Sequence, residues 1–150
     1  MYPAAREARR LGVFHSRAVE RRYPDLARFV VTALPANAAF FTVQHSGSLR
    51  FYARRLTIRF DSIDPDWLDR SIEHLRRLGY RPIILLEDWE VEAFKQRFSA
   101  TNAAGRLEWC PLAVMSHPVT VFLYDTIERS CEPGTQRIPM LGDRCCGPLD

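Results

Sequence analysis

Polar residues that could bind a ligand follow each of three apolar runs in this chain. They are His45, Ser46, Gly47, Ser48, Asp61, Glu87 and Asp88. The Ser-Gly-Ser turn opens a predicted helix, so its backbone N–H groups are free at the positive end of the helix dipole. Such a turn suits a phosphate or a carboxylate, and the sequence therefore predicts an anion-binding or ligand-binding site with these residues.

The same residues have two other interpretations. Ser46 or Ser48 as an ordinary helix N-cap accounts for the turn without a ligand. The three carboxylates could instead hold a metal, with His45 as the base in phosphoester hydrolysis, although Asp88 also fits a helix N-cap. The turn lacks the glycine spacing of nucleotide-binding loops, and no G-x-S-x-G elbow is present. We therefore assign no catalytic residue, no metal and no cofactor.

Three strands must place these residues at one edge of a sheet. Residues 38–44 and 82–86 are continuous apolar runs, typical of strands buried on both faces, whereas 56–60 alternates as a strand near an edge does. Amphipathic segments separate the runs, which favours parallel strands joined by helices. The carboxyl ends of parallel strands share one rim, so we expect the candidate residues to meet there.

Helix signals accompany the strands. Apolar residues recur at helical spacing from Pro24, in a short segment after residue 48, and in a segment after Asp88. Between them, Asp64 as N-cap and Pro65 at the first helical position predict the start of another helix. Gly79 predicts its end, since glycine readily adopts the left-handed conformation found there.

The last part of the pattern differs from the first. Apolar runs at 112–115 and 119–124 are separated by three residues, too few for a crossover, and predict an antiparallel hairpin. We predict an α/β fold: a three-layer open sheet, mostly parallel, with this C-terminal hairpin and an irregular tail. The predicted organisation is a basic, flexible segment at 1–23, one α/β domain at 24–126, and a Pro/Gly/Cys-containing tail at 127–150.

Charge and cysteine usage narrow the function classes. The net charge of +3 is spread along the chain among 18 acidic residues, so no nucleic-acid partner is expected. The basic N-terminal segment could bind anionic lipid head groups beside a membrane, or be simply solvated. No signal peptide or membrane-spanning run is visible. The four cysteines lack zinc-site spacing, and three lie in the tail, so no disulfide framework of the core is expected.

Three stretches resemble a known family. Residues 34–52 include LPANA and TVQHSGSLRFY, residues 55–61 read RLTIRFD, and residues 79–90 begin with GYRP and end with LEDWE. Together they are similar to the soluble region after the last membrane helix of bacterial membrane glycosyltransferases of family 39, the protein mannosyltransferase and aminoarabinose transferase group. The resemblance covers about residues 24–126.

The resemblance implies a domain that works with a polyprenyl-phosphate-sugar-dependent membrane enzyme. That family's acidic catalytic residue lies in an N-terminal loop, and nothing in this chain matches that part. We therefore expect a non-catalytic accessory domain whose partners are a membrane glycosyltransferase or a lipid-linked sugar. The sequence leaves the localisation open, and a chain that acts like the resembled domain would lie at the periplasmic face of the inner membrane. The alternative is a small phosphoester hydrolase or phosphate-ligand-binding domain that uses the His45–Ser48 turn and the acidic rim. The sequence leaves the oligomeric state open.

Overall fold

The computed structural model describes residues 19–116, 118–129, 131 and 136–137. The elements are α1 (Arg22–Ala33), β1 (Ala38–Phe41), α2 (Ser46–Tyr52), β2 (Leu56–Ile58), α3 (Leu68–Arg77), β3 (Arg81–Glu87), α4 (Asp88–Phe98), β4 (Ala113–Met115), β5 (Val121–Asp125) and β6 (Gln136–Arg137). Two short 3-10 turns, Phe60–Ser62 and Ala104–Arg106, lie in the connections.

The strands form one mixed open sheet in the order β2-β1-β3-β5-β4-β6. β1 is parallel to both β2 and β3, as the three-strand pattern predicts. β4 and β5 form the predicted antiparallel hairpin, and β5 also lies antiparallel to β3. The fold is therefore α/β, but the expected mostly parallel sheet is not confirmed, because among β1 to β5 two ladders are parallel and two are antiparallel.

Apolar side chains of the sheet alternate between two core clusters. Along β3, Ile83 and Leu85 belong to the first cluster, and Ile84 and Leu86 to the second. Residues of α1 and α2 pack into the first cluster, and residues of α3 and α4 into the second. Since β3 is buried along almost its whole length, its continuous apolar sequence is explained by burial on both faces.

The start of α3 differs from the sequence prediction. The helix begins at Leu68 rather than at Pro65, and Asp64 is not its N-cap. Asp64 instead accepts the N–H of Asp66 in a local turn. The first turn of the helix is satisfied from a distance, because the side-chain oxygen of Asn102 accepts the N–H of Asp69 at 3.0 Å. A cap supplied by another loop leaves no local signature in the sequence.

The end of α3 is as predicted. Gly79 has a φ of +85°, in the left-handed region that glycine adopts without steric cost. Its N–H donates to the carbonyl of Arg76, and the N–H of Tyr80 donates to the carbonyl of Leu75, each at 3.0 Å. These two bonds form a Schellman motif, which satisfies the last carbonyls of the helix.

The C-terminal region departs from the prediction in two ways. Cys110 and Cys131 form a disulfide bond, which the sequence analysis did not expect. The hairpin explains it, since β5 runs back beside β4 and returns the following segment to the residues that precede β4. In addition, Gln136–Arg137 forms a short strand parallel to β4, so the predicted tail is not irregular throughout. The remainder of that tail, and residues 1–18 of the basic segment, lie outside the described residues.

Candidate functional site

The carboxyl ends of β2, β1 and β3 lie side by side, so the rim predicted from the sequence exists. Two of the seven candidate residues meet there. His45, directly after β1, places Nε2 3.0 Å from Oε1 of Glu87, the last residue of β3. Both side chains are buried, and they form the centre of a polar cluster under the rim.

Glu87 has an ion-pair partner in Arg22 and hydrogen-bond partners in His45 and Trp89. Nε of Arg22, at the start of α1, forms an ion pair with Oε1 at 2.9 Å, and the indole Nε1 of Trp89 donates to Oε2 at 2.7 Å. Arg22 is itself buried. One carboxylate therefore joins His45, Arg22 and Trp89, which belong to three separate segments of the chain.

Glu90 completes the cluster from the first turn of α4. Its Oε1 accepts the N–H of Gln44 at 3.2 Å, and its Oε2 accepts the N–H of Glu87 at 2.9 Å. Glu87 in turn accepts the N–H of Glu90, so the two residues form a capping box. The N-cap of α4 is therefore Glu87, and the prediction of Asp88 as N-cap is wrong by one residue.

The pKa values of Glu87 and Glu90 are shifted in opposite directions. Burial raises the pKa of Glu87, but hydrogen bonds from His45 and Trp89 and the charges of His45 and Arg22 outweigh it and leave the pKa below its ordinary value. Burial also raises the pKa of Glu90, and there the two backbone N–H groups only partly offset it, so the pKa stays above its ordinary value. Two neighbouring carboxyl groups whose pKa values differ in this way are typical of catalytic acid–base pairs. Here, however, both residues are only 2% exposed, so a substrate in solution does not reach them.

Tyr23 connects the buried cluster to the surface. Its hydroxyl accepts hydrogen bonds from Arg22 Nη2 at 2.9 Å and from Gln44 Nε2 at 2.6 Å. The guanidinium of Arg22 also lies over the Tyr23 ring, 4.5 Å from its centroid, and that ring is 5.2 Å from the ring of His45. The position of Tyr23 therefore depends on the ion pair beneath it.

A cleft of about 440 Å³ opens beside Tyr23, and we call it the rim cleft. Its walls include Arg21, Tyr23, Gln44, Gly47, Ser48 and Tyr52. Two predicted residues, Gly47 and Ser48, thus line a surface cavity. A larger cavity of about 780 Å³ lies against α3 and contains none of the predicted residues.

The serine hydroxyls of the turn bond to their own backbone. Ser46 Oγ donates to the carbonyl of Val43 at 2.8 Å, and Ser48 Oγ donates to the carbonyl of His45 at 3.1 Å. Neither serine caps the helix, because the N-cap position of α2 is His45. A Cβ at Gly47 would have no neighbouring atom within 4 Å, so the turn is open to solvent there.

The remaining two candidates lie apart from the buried cluster. Asp61 follows β2 and is bound by Arg59, whose Nη2 is 2.6 Å from Oδ2, and this partner lowers the pKa of Asp61. Asp88 is exposed, and its Oδ1 accepts the N–H of Trp89 at 2.8 Å. Among the described residues, no group of three or more His, Cys, Asp or Glu side chains is placed to hold a metal ion.

Sequence reasoning missed Arg22, Tyr23 and Gln44. Arg22 and Tyr23 fall in the segment predicted to be basic and flexible, yet α1 begins at Arg22. One signal was available: Arg22 precedes Leu26 by four residues and therefore shares the buried face of its helix. No comparable pattern marks Gln44, whose contact with Tyr23 joins residues 21 positions apart.

Comparisons with known proteins gave no match. No protein-family model, no curated protein and no solved structure matches it. In the part of the chain that the structure describes, no helix is long and apolar enough to cross a membrane.

Proposed function

We propose that this chain is a non-catalytic accessory domain that works beside a membrane glycosyltransferase handling a lipid-linked sugar at the periplasmic face of the inner membrane. The resemblance of residues 34–61 and 79–90 to the tail domain of family 39 enzymes suggests this role. We also propose the three-layer description of the fold, which the two core clusters on opposite sides of β3 support.

One observation carries the non-catalytic part of the proposal. Three ionisable groups of the buried cluster, His45, Glu87 and Glu90, are 0%, 2% and 2% exposed. Their hydrogen bonds and ion pairs run to one another, to the side chains of Arg22 and Trp89, and to the backbone of Gln44. Groups that are enclosed and mutually bound in this way stabilise a fold, whereas a catalytic group must reach its substrate.

Site-specific cross-linking in the native host tests this role. A photoreactive residue in place of Tyr52, beside the rim cleft, should cross-link to a polytopic glycosyltransferase identified by mass spectrometry. The same residue in place of Glu73, on α3, is the matched control and should give no such product. Turnover of a polyprenyl-phosphate sugar by the purified chain alone, or equal cross-linking from both positions, would contradict the proposal.

A second candidate is binding of a phosphorylated ligand in the rim cleft, with phosphoester hydrolysis as its catalytic extension. The observation that favours it is the combination of Arg21 with the open backbone at Gly47 on the walls of one cavity. A thermal-shift screen with sugar phosphates and polyprenyl-phosphate analogues tests it. A stabilising shift that Arg21→Gln abolishes and the exposed-site control Arg77→Gln retains would support it, and no shift with any compound would eliminate it.

A further inference from the structure

Helix α2 presents two aromatic side chains to solvent. Phe51 is 77% exposed and Tyr52 is 55% exposed, and their rings contact each other edge to face with centroids 4.9 Å apart. Leu49 and Ala53 on the other side of the helix are buried and anchor it to the core. The packing of α2 therefore does not require the two aromatic rings, whose apolar surface remains in water.

Arginines flank the exposed rings. Arg50 and Arg54 are both exposed, and neither forms an ion pair with another described residue. Gly47 lines the rim cleft on one side of α2 and a second cleft, which also contains Arg50, on the other. α2 is thus a ridge between two depressions, and we call Arg50, Phe51, Tyr52 and Arg54 the aromatic–basic ridge.

The backbone at Arg54 is held in an unfavourable conformation. Its φ is +51°, in the left-handed region where a side chain meets steric resistance and glycine does not. Glycine at this position would favour folding. Arg54→Gly is therefore a substitution that removes the charge at this position without a cost in stability.

The sequence before the described residues carries further positive charge. Residues 1–18 contain Arg6, Arg9, Arg10 and Arg17 against the single acidic residue Glu7. The chain enters the described structure at residue 19, directly before Glu20 and Arg21, which line the rim cleft together with Tyr52. The first described residues therefore lie beside the rim cleft, to which Tyr52 of the aromatic–basic ridge also belongs.

We propose that the aromatic–basic ridge docks on an anionic lipid membrane. Aromatic side chains favour the interfacial layer of a bilayer, and arginines attract acidic head groups while their aliphatic stems cover apolar surface. A single-stranded nucleic acid, which binds in basic grooves lined by aromatic side chains, is the competing partner that the binding experiment must exclude. This inference goes beyond the proposed function, because it concerns binding to the lipid bilayer itself and needs no glycosyltransferase.

Co-sedimentation of the full chain with sucrose-loaded vesicles is the test. We expect binding to phosphatidylcholine vesicles that contain phosphatidylglycerol and little binding to pure phosphatidylcholine. Phe51→Ala should weaken binding about tenfold, in keeping with the burial of one aromatic side chain. Arg50→Gln should weaken it about fivefold, in keeping with one surface cation near an anionic membrane. Arg77→Gln and Leu78→Ala, two exposed changes at the end of α3, are the matched controls and should leave binding unchanged.

Arg54→Gly separates folding from docking. It removes a cation and relieves the left-handed strain, so binding should fall about fivefold while the unfolding midpoint stays or rises. Equal losses in the control variants, no dependence on phosphatidylglycerol, or retention on single-stranded RNA without vesicle binding would overturn the inference. Cross-linking of Tyr52 to a glycosyltransferase together with absent vesicle binding would overturn this inference alone.

Discussion

Glu87 joins side chains that the sequence keeps far apart. His45 is 42 positions away from it, and Arg22 reaches the same carboxylate oxygen from the first described helix. A buried charge is tolerated only when it is paired and hydrogen-bonded, and Glu87 meets both conditions with Arg22, His45 and Trp89. Removal of the carboxylate would leave the Arg22 charge buried without its partner.

Glu87→Gln should lower the free energy of unfolding by about 3–5 kcal/mol, the usual cost of breaking one side of a buried ion pair. Urea denaturation at neutral pH measures it. The control is Glu73→Gln, a change in a half-exposed pair with Arg76 and Arg77, which should alter stability by less than about 0.5 kcal/mol. Equal effects of the two changes would show that the buried cluster contributes nothing.

The stability contribution of Glu87 depends on pH. Because its pKa is lower in the folded than in the unfolded chain, the contribution is fully present above the ordinary glutamate pKa of 4.5 and is lost as pH falls through the folded value. The stability difference between wild type and Glu87→Gln should therefore narrow in acid. Urea titrations from neutral to acid pH measure it, and a constant difference would contradict the assignment.

Glu90 should show the opposite pH dependence. Burial raises its folded pKa above 4.5, so its contribution is present below 4.5 and is lost as pH rises through the raised value. Glu90→Gln does not titrate, and its stability relative to wild type should therefore increase from acid toward neutral pH. The same urea titrations measure this trend. A flat or reversed trend would show that burial does not dominate at Glu90.

At the scale of elements, the packing of α4 against the following 3-10 turn leaves no room for a side chain at Gly105. A Cβ there would lie 2.5 Å from the carbonyl carbon of Phe98 and 2.6 Å from its Cβ. The first of these atoms is backbone, so a rotamer change cannot relieve the clash. This close approach holds the 3-10 turn against the end of α4, where Phe98 and Ala104 both belong to the second core cluster.

Gly105→Ala should destabilise the protein by about 1–3 kcal/mol, the usual cost of overpacking. Gly47→Ala is the matched control, because Gly47 lies in α2 with open space around its Cβ position. Alanine favours the helix there by about 0.5–1 kcal/mol, so this variant should be as stable as wild type or more stable. The unfolding midpoint should thus fall for Gly105→Ala and stay or rise for Gly47→Ala, and an equal fall in both variants would contradict the packing argument.

Local sequence signals predicted the helices and strands well, but they did not predict the contacts between residues far apart in the chain. The Schellman end at Gly79 and the hairpin of β4 and β5 follow from residues within a few positions of each other. The start of α3 was misplaced because its cap comes from Asn102, 33 positions beyond the N–H it accepts. The same limit applies to the site: the rim and the proximity of His45 and Glu87 follow from parallel strands, but Arg22 and Tyr23 arrive through the packing of α1.

For the whole molecule, the disulfide between Cys110 and Cys131 ties the two ends of the hairpin region together. The cysteines are 21 positions apart, and a crosslink of this span restricts the unfolded chain. Disulfides of this kind persist in oxidising compartments, which accords with the periplasmic setting we propose.

Reduction of this bond should lower the free energy of unfolding by about 3 kcal/mol. Thermal unfolding with and without a reductant measures the loss. The double variant Cys110→Ser/Cys131→Ser should be destabilised by a similar amount and should no longer respond to the reductant. A wild type that is insensitive to reduction would show that the bond contributes little to stability.

The outer strand β2 has a consequence for the behaviour of the protein in concentrated solution. β2 is three residues long, lies at the end of the sheet order, and is bounded by Arg55 and Arg59. An exposed strand edge is a template on which another molecule can add a strand, and short edges with flanking charge resist such growth. The short edge strand β2, with an arginine on either side, therefore protects the chain from fibre-like aggregation through this edge of the sheet.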